Sequence, residues 1–305
     1  MPTILITGGT GLIGTELTKE LVNQGYNVIV LSRKPGSNHS NSRVTYAQWN
    51  VNARTIDTTA IAEADYIIHL AGANVADGRW TDKRKKEILT SRTESGALLI
   101  KALSENSNKV KAVISSSAIG WYGADPQIPN FHPFTESAPA DHSFLGTTCK
   151  AWEDSIAGVS TLGKRLVILR TGIVLSKKGG AYKEFKKPSR FGTVPILGDG
   201  RQAISWIHIN DIVRLYIFAI ENDQLEGIYN AVAPSPVSNK DLMHCIAKKE
   251  RWALPIHVPA FMLKLVLGEM SIEVLKSATV GSDKIEKAGF AFQFPAIEAA
   301  VDDLG

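Results

Sequence analysis

Five short stretches in the first two-thirds of the chain are almost continuously apolar, and each is bounded by polar residues or glycine. Runs of this kind are typical of strands buried on both faces, as in a parallel sheet. The predicted strands cover residues 3–7, 27–32, 65–71, 111–117 and 165–171.

The stretches between these strands have helical periodicity. In residues 12–24, for example, Leu12, Leu17 and Leu21 fall on one face, and Thr81 is a candidate N-cap of a second helix. The predicted helices cover residues 12–24, 81–105, 146–158 and 211–221. Strands that alternate with crossover helices indicate an α/β fold with a doubly wound parallel sheet.

Composition narrows the class of protein. The 305 residues are 44% hydrophobic and 21% charged, as in ordinary globular enzymes. The net charge of +4 comes from scattered basic residues, and the densest run, at 83–86, is better explained as a solvated helix face than as a nucleic-acid site. Two cysteines argue against a disulfide framework, no apolar run reaches the length of a membrane span, and the seven histidines form no metal-binding pattern. We therefore expect a cytoplasmic soluble protein with a small-molecule ligand and no nucleic-acid, membrane or metal partner, and both a monomer and a homodimer remain open.

A glycine-rich turn, TGGTGLIG, connects the first predicted strand to the first predicted helix. Glycines at these spacings allow a tight turn, close approach to a pyrophosphate and close packing of the helix, whose N-terminus offers free N–H groups. In this context the motif predicts a dinucleotide site rather than a purely structural turn. The predicted contacts are Thr7, Gly8, Gly9, Gly11, Leu12, Ile13 and Gly14.

The end of the second predicted strand distinguishes NAD from NADP. An NAD site usually has an acidic residue there for the ribose 2′-hydroxyl, whereas an arginine suits a 2′-phosphate. The chain has Ser32, Arg33 and Lys34 at this point and no acid. Because Arg33 can bind a phosphate in fork geometry, we predict NADP(H) as the cofactor, with Ser32 and Arg33 as contacts.

Glycine and proline interrupt the strand–helix pattern after residue 171, and the section at 172–202 is predicted to be rich in loops. A short strand is predicted at 227–233, and residues 238–305 are predicted to be helical with short extended pieces. We therefore predict a Rossmann domain of residues 1–171 plus about 203–233. A smaller C-terminal substrate lobe would comprise about 172–202 and 234–305.

Four short motifs resemble the extended short-chain dehydrogenase/reductase superfamily: the TGxxGxxG spacing, HLAG at 69–72, SSS at 115–117 and WIHIND at 206–211. Longer blocks resemble its epimerase-like branch, whose members are often labelled nucleoside-diphosphate-sugar epimerases. These blocks lie at 71–92, 115–123, 144–153, 170–181, 198–211 and 229–239, and the resemblance extends from Thr3 to about Pro295. The further cofactor contacts that it implies are Leu70, Ala71, Gly72, Ser115 and Ser116. It also implies that Ser117 is the catalytic serine.

The segment FLGTTCKAWE, at 144–153, lies where the superfamily carries a tyrosine and, four residues later, a lysine. The resemblance implies that the tyrosine, with an ordinary pKa of about 10, is the acid–base group, and that the lysine lowers this pKa and holds the nicotinamide ribose. When Glu153 is matched to the glutamate that ends the motif, Leu145 and Cys149 occupy the Tyr and Lys positions. A shift by one residue gives Gly146 and Lys150, again without a tyrosine. A proton donor must therefore come from elsewhere in the chain or from the ligand.

Ser117 and Tyr122 are the predicted catalytic residues, because Ser117 ends the strand at 111–117 and Tyr122 follows five residues later, at the sheet edge where ligands bind. The alternatives are a satisfied strand-end hydroxyl for Ser117 and a packed aromatic side chain for Tyr122. Two roles are open for Cys149, a nucleophile or a small residue that fills the space of the lysine. Two are open for His208 as well, a proton carrier or a link between the two lobes.

The predicted substrate contacts are Asn74, Arg79, Trp80 and Arg201. The first three follow the LAG turn and form a group that suits an anionic or ring-bearing substrate. Arg201 lies in GDGRQ, which resembles the substrate-phosphate loop of extended members. Solvated surface loops are the alternative in both places.

These features predict an NADP(H)-binding oxidoreductase or epimerase-like enzyme that transfers hydride to or from an unknown small molecule without the Tyr–Lys pair. The alternative is an NADP(H)-sensing regulatory or binding protein with little or no catalysis. A sugar epimerase of the usual kind is disfavoured, because such enzymes use NAD and a tyrosine base.

Overall fold

The computed structural model describes residues 1–33, 42–250 and 253–305, so Lys34 of the predicted phosphate-binding segment lies outside the described residues. The described strands are β1 (Thr3–Thr7), β2 (Asn27–Ser32), β3 (Val44–Asn50), β4 (Thr55–Ile56), β5 (Tyr66–His69), β6 (Ala112–Ala118), β7 (Arg165–Thr171), β8 (Ile173–Leu175), β9 (Thr193–Leu197), β10 (Ala203–Ile204), β11 (Trp206–His208), β12 (Gly227–Ala231), β13 (Val237–Ser238) and β14 (Leu254–Val258). The described helices are α1 (Leu12–Asn23), α2 (Thr58–Glu63), α3 (Asp82–Glu105), α4 (Phe144–Ile156), α5 (Gly180–Lys186), α6 (Ile209–Glu221), α7 (Asn239–Lys249), α8 (Ala260–Leu267), α9 (Ser271–Leu275), α10 (Asp283–Lys287) and α11 (Ile297–Leu304). No helix in these ranges has both the length and the apolarity needed to span a bilayer.

The central sheet has the strand order β12-β7-β6-β5-β1-β2-β3-β4. Its neighbouring strands are parallel except for the terminal β3–β4 pair, which is antiparallel. The chain moves outward from β1 through β2 to β3 and then returns to place β5 on the other side of β1. This arrangement confirms the predicted doubly wound α/β fold. Because strand order reverses between β1 and β5, a ligand crevice is expected at their carboxyl ends.

Two apolar clusters cover the two faces of this sheet. Ile4 and Ile6 of β1 belong to the cluster that includes residues of α1 and α6, whereas Leu5 belongs to the cluster that includes residues of α2, α3 and α4. Successive side chains of a strand point to opposite faces. Burial on both faces therefore explains why the central strands are continuously apolar.

The bounds of the predicted strands and helices agree closely with the observed ones. The predicted N-cap is also present: Thr81 caps α3 by accepting a hydrogen bond from the Arg84 N–H at 3.2 Å. Strand β3 was not predicted, because it alternates exposed and covered positions and has no continuous apolar run. The predicted loop-rich section at 172–202 contains β8, α5 and β9, so its glycines and prolines separate short elements.

Segments beyond β12 pack against the sheet rather than apart from it. Asp211, at the start of α6, is fully buried and accepts hydrogen bonds from the N–H groups of Gln293 and Phe294, each at 2.8 Å. Ile4 and Val301 belong to the same apolar cluster. The division into a Rossmann domain and a substrate lobe stays a prediction.

Candidate functional site

The glycine turn between β1 and α1 lies where the strand order reverses. Gly8 has a φ of 71°, in the left-handed region that favours glycine, and a Cβ there would lie 2.9 Å from the carbonyl carbon of Leu70. A Cβ on Gly14 would lie 2.4 Å from the carbonyl oxygen of Gly8. Both positions require glycine, and the turn brings β1, α1 and the segment after β5 into contact.

The N-terminus of α1 has no side-chain cap. Gly11 is the N-cap residue, no side chain of the described residues caps the first turn, and that turn contains no acidic residue. The first N–H groups of a helix lack intrahelical partners, and the helix dipole gives this end partial positive charge. This end of α1 therefore fits the pyrophosphate of a dinucleotide.

The segment after β8 lies over the glycine turn. A Cβ on Gly179 or on Gly180 would lie 3.3 Å from a methyl carbon of Leu12. The neighbouring Lys178 forms an ion pair with Glu16 of α1. The segment at 178–180 therefore forms one wall of the crevice, beside the predicted cofactor contact Leu12.

Thr7 joins the carboxyl ends of β1 and β5. Its buried Oγ1 accepts hydrogen bonds from the N–H groups of Leu70 and Ala71 at 3.1 and 3.2 Å. The hydroxyl proton is therefore directed to Nδ1 of His69, 2.7 Å away. It follows that the His69 Nε2 carries a proton and donates it to the Ser95 Oγ at 3.3 Å.

Burial and, to a smaller extent, the nearby charge of Arg92 together lower the pKa of His69 to about 4. The imidazole is thus neutral at neutral pH, as the hydrogen-bond pattern requires. Its role is to fix the ends of two strands, which holds the LAG segment at a set distance from the glycine turn.

The end of β2 carries the predicted adenosine contacts. Ser32 is the last residue of β2, and Arg33 follows it with an exposed side chain. In the described part of this segment there is no carboxylate, and the guanidinium lies at the same sheet edge as the glycine turn. This arrangement fits a ligand with a negatively charged group beside β2.

The three serines of β6 point to alternate faces. Ser115 and Ser117 are buried, while Ser116 is partly exposed. The Ser117 hydroxyl donates a hydrogen bond to Glu153 of α4 at 2.7 Å. Glu153 in turn accepts two hydrogen bonds from Arg170 of β7, at 2.8 and 2.9 Å, to form a buried bidentate ion pair.

Tyr122 extends the same buried network. Its side chain has no solvent exposure, its hydroxyl donates to Asn230 Oδ1 at 2.6 Å, and it accepts a hydrogen bond from Arg170 at 3.1 Å. Burial raises the pKa of this phenol, although the hydrogen bond from Arg170 acts in the opposite direction. The phenol therefore lies in the interior rather than in an open cleft. The packed-aromatic alternative describes this side chain, and proton transfer by Tyr122 stays a prediction.

The predicted substrate residues lie on two loops that have structural contacts of their own. Asn74 closes a turn by bonding to Asp77 at 2.6 Å and to the N–H of Ala76 at 3.1 Å. Arg79 donates to the carbonyl oxygen of Val266 at 3.1 Å and also to that of Leu265, so it joins the 74–80 loop to α8.

Trp80 and Arg201 differ in exposure. Trp80 is buried against Phe144, with the ring centroids 5.0 Å apart, and its indole N–H donates to the carbonyl of Val75 at 2.8 Å. Arg201 is exposed and donates to the carbonyl of Ile128 at 3.1 Å. Substrate binding by these four residues stays a prediction.

His208 is buried at the start of α6, where its Nδ1 accepts the N–H of Asn210 at 3.2 Å. Its ring packs on Phe294 with 3.9 Å between centroids, and Nε2 lies 3.4 Å from the Asp303 carboxylate. Burial lowers the pKa of His208, although Asp303 raises it. These contacts link α6 to the C-terminal segment, as in the linking role considered for this residue.

Comparison with known proteins places this geometry in a family. Residues 4–158 match the NAD dependent epimerase/dehydratase family, and residues 258–304 match a domain of unknown function, DUF1731. The epimerase family protein YfhF of Bacillus subtilis (strain 168) is 34% identical over 302 residues, which covers 99% of this chain and 97% of that protein. This chain belongs to the NAD dependent epimerase/dehydratase family.

Solved structures support the same assignment. Human epimerase family protein SDR39U1, determined with NADPH, is 29% identical with a TM-score of 0.86, covering 99% of this chain and 98% of that chain. A nucleoside-diphosphate sugar epimerase from Corynebacterium glutamicum is 30% identical with a TM-score of 0.78, covering 99% of this chain and 58% of that chain. The UDP-glucuronic acid 4-epimerase of Bacillus cereus, at 20% identity and a TM-score of 0.81 over 99% of this chain and 97% of that chain, shows the fold alone. The resemblance to the epimerase-like branch of the extended superfamily is therefore confirmed.

In this family member, apolar groups fill the space matched to the Tyr–Lys pair. A Cβ on Gly120 would lie 3.1 Å from the Cβ of Leu145 and 3.5 Å from the Sγ of Cys149, so these three residues are neighbours. Burial raises the pKa of the Cys149 thiol to about 11, although the charge of Arg92 lowers it. The thiol is therefore protonated at neutral pH. This fits a space-filling role rather than that of a nucleophile.

Sequence reasoning missed Arg92 of α3, which lies beside this space. On α3 the buried residues include Ile88 and Ser95, and Arg92 falls on the same stripe, four residues after the first and three before the second. An arginine on the buried stripe of a helix was the available signal. Arg92 does not stand out in the sequence, because the residues on either side of it, at 90–91 and 93–95, are polar.

Proposed function

We propose that this protein binds NADP(H) at the carboxyl edge of the sheet and transfers hydride to or from a carbon of a small molecule. The observation that carries the proposal is the glycine turn and uncapped α1 N-terminus at the reversal of strand order, with Arg33 at the described end of β2. A guanidinium binds a 2′-phosphate, whereas a carboxylate would repel it. The 29% identical human relative solved with NADPH supports this choice.

The chain's own residues would hold and orient the cofactor. The α1 N-terminus would bind the pyrophosphate, Arg33 the 2′-phosphate, and the LAG segment and Ser116 would border the nicotinamide half. When bound, NADP(H) supplies the hydride donor or acceptor. The protein's main contribution would then be to position the substrate against it.

Ser117 does not offer a proton. Its side chain is buried and its hydroxyl proton is committed to Glu153, so we propose that Ser117 acts by positioning the Glu153–Arg170 pair rather than by touching the substrate. Leu145 cannot exchange a proton, and Tyr122 is bonded within the interior. We propose that the proton comes from bound water or from the substrate itself.

Single-turnover mixing of the protein with NADPH and a carbonyl panel tests this function. The panel contains nucleotide sugars, quinones and small aldehydes, and loss of NADPH absorbance is the readout. We expect oxidation with one class, and slower oxidation in Ser117→Ala than in the control Ser104→Ala, which removes the hydroxyl of an exposed serine on α3. No oxidation with any class would contradict hydride transfer.

A second function, NADP(H) sensing with little or no catalysis, is favoured by one observation. The positions matched to the acid–base pair hold Leu145 and the protonated Cys149, so the chain lacks the usual proton machinery there. Capture of partner proteins with and without NADPH distinguishes the two. A cofactor-dependent partner, together with no turnover, would support sensing, whereas turnover without such a partner would support the enzyme.

A further inference from the structure

The Arg92 guanidinium is held between α3, α4 and the LAG segment. It lies over the ring of Trp152 of α4 at 4.8 Å from the centroid. Its Nη1 donates to the carbonyl oxygens of Ala73 and Ile88 at 3.0 and 2.9 Å, and a Cβ on Gly72 would lie 3.0 Å from its Cζ. The position of this cation is thus fixed from three sides.

The charge of Arg92 has no carboxylate partner among the described residues. The titratable groups close enough to influence the pKa of Arg92 are Cys149 and Arg84, and neither is an anion at neutral pH. Burial lowers the pKa of Arg92 to about 10, so the guanidinium remains charged at neutral pH. Nε and Nη2 form no hydrogen bond within the described part of the chain, and the side chain is only partly covered. Two donors are therefore available to a ligand.

Sheet topology indicates which part of a dinucleotide would reach these donors. From a pyrophosphate at the α1 N-terminus, the adenosine half would extend over β2 toward Arg33. The other half would cross β5 toward β6. Because neighbouring strands are about 4.8 Å apart, this path spans a distance of two strand spacings from β1. The sugar of the nicotinamide half would then lie at the carboxyl ends of β5 and β6, between Gly72 and Ser116, beside the Arg92 guanidinium.

We propose that Arg92 binds the hydroxyls of the nicotinamide ribose. In the superfamily a lysine on the helix that corresponds to α4 provides the cation at this place; in this chain Arg92 provides it from α3. This rests on the proposed NADP(H) binding. The neighbouring Cys149 occupies the position matched to that lysine, so the positive charge is kept while its point of attachment has moved to the adjacent helix. Because a cation at this place would lower the pKa of a bound hydroxyl group, it would also favour proton loss from the ligand.

Two ligands separate this role from a purely structural one. NADP⁺ contains the nicotinamide ribose, whereas adenosine 2′,5′-bisphosphate ends before it and reports on the Arg33 side alone. We expect Arg92→Ala to weaken NADP⁺ binding about tenfold or more, the loss typical of a charge-assisted hydrogen bond, and to change bisphosphate binding less than about twofold. Lys86→Ala removes an exposed cation from the same helix and should change neither affinity.

A charge-relocation variant sharpens the test. In Arg92→Ala/Cys149→Lys the cation returns to α4, and NADP⁺ affinity should recover at least in part. Arg92→Gln keeps a polar side chain with an N–H₂ donor but not the charge, so it should disturb folding less than Arg92→Ala and still bind NADP⁺ more weakly. It replaces Arg92→Ala if that variant does not fold.

Equal losses for both ligands, or no loss of NADP⁺ affinity, would overturn the role of Arg92 and leave the proposed function standing. Absence of recovery in the charge-relocation variant would overturn the lysine equivalence. Wild-type protein that binds neither ligand would instead refute the proposed function itself.

Discussion

Replacement of Glu153 by glutamine should destabilise the protein strongly, because it leaves a buried guanidinium without its counter-charge. The Arg170 and Glu153 side chains are 1% and 6% exposed, and they are joined by hydrogen bonds at 2.8 and 2.9 Å. Arg170 also lies 3.6 Å from the Trp121 ring centroid and bonds to Tyr122, so it has little room to move toward water. Glutamine would also place its N–H₂ group, a donor, opposite one of the Arg170 nitrogens, which is a donor as well.

The expected loss is about 3–5 kcal/mol, the range found when one partner of a buried ion pair is removed. The adjacent residue provides a matched control. Asp154 pairs with Lys150 at 2.6 Å on the same helix, but these side chains are 63% and 58% exposed. Asp154→Asn should cost about 0.5 kcal/mol or less.

Urea denaturation followed by tryptophan fluorescence and circular dichroism provides the free energies of unfolding. The double variant Glu153→Gln/Arg170→Met should cost less than the sum of the two single variants, because it removes the unpaired charge. A loss for Glu153→Gln no larger than for Asp154→Asn, or strict additivity in the double variant, would refute this reasoning.

Four further predictions concern single residues. Gly14→Ala should abolish NADPH binding or folding, since its Cβ would lie 2.4 Å from the Gly8 carbonyl oxygen, and fluorescence titration with a thermal melt checks both. Arg33→Ser should weaken NADPH binding by about 1.5–3 kcal/mol while leaving NADH binding unchanged, as measured by parallel titrations. The pKa of His69 is lowered to about 4 from 6.5, so between these pH values the unfolded chain takes up a proton that the folded chain does not. The free energy of unfolding should therefore fall by about 3 kcal/mol as the pH drops through this window. This pH dependence should be missing from the unfolding data of His69→Asn. Cys149, whose pKa is raised to about 11 and whose side chain is 4% exposed, should resist iodoacetamide in the native protein at pH values where it reacts after unfolding, as judged by mass spectrometry.

Much of the fold could be predicted because its signals are local. Strands β1, β2 and β7 are continuous apolar runs, and the glycine turn follows β1 directly, so short-range pattern is enough to place them. Strand β3 escaped prediction because it lies toward the edge of the sheet and alternates covered and exposed residues, which a continuous apolar run does not describe.

The site was only partly predictable because its contacts join residues that are far apart in sequence. Nothing near Ser117 in the chain indicates that its hydroxyl bonds to Glu153, or that Arg170 then connects that carboxylate to Tyr122. In the same way, Arg92 acquires its meaning only when α3 lies beside Cys149. The cofactor contacts were accessible to sequence reasoning because most of them belong to one continuous motif.

Parallel fluorescence titration of the wild-type protein with NADPH and NADH tests the central claim most directly. The site geometry predicts saturable binding of both, with NADPH tighter because Arg33 binds the 2′-phosphate. Tighter binding of NADH, or no saturable binding of either nucleotide, would contradict the claim.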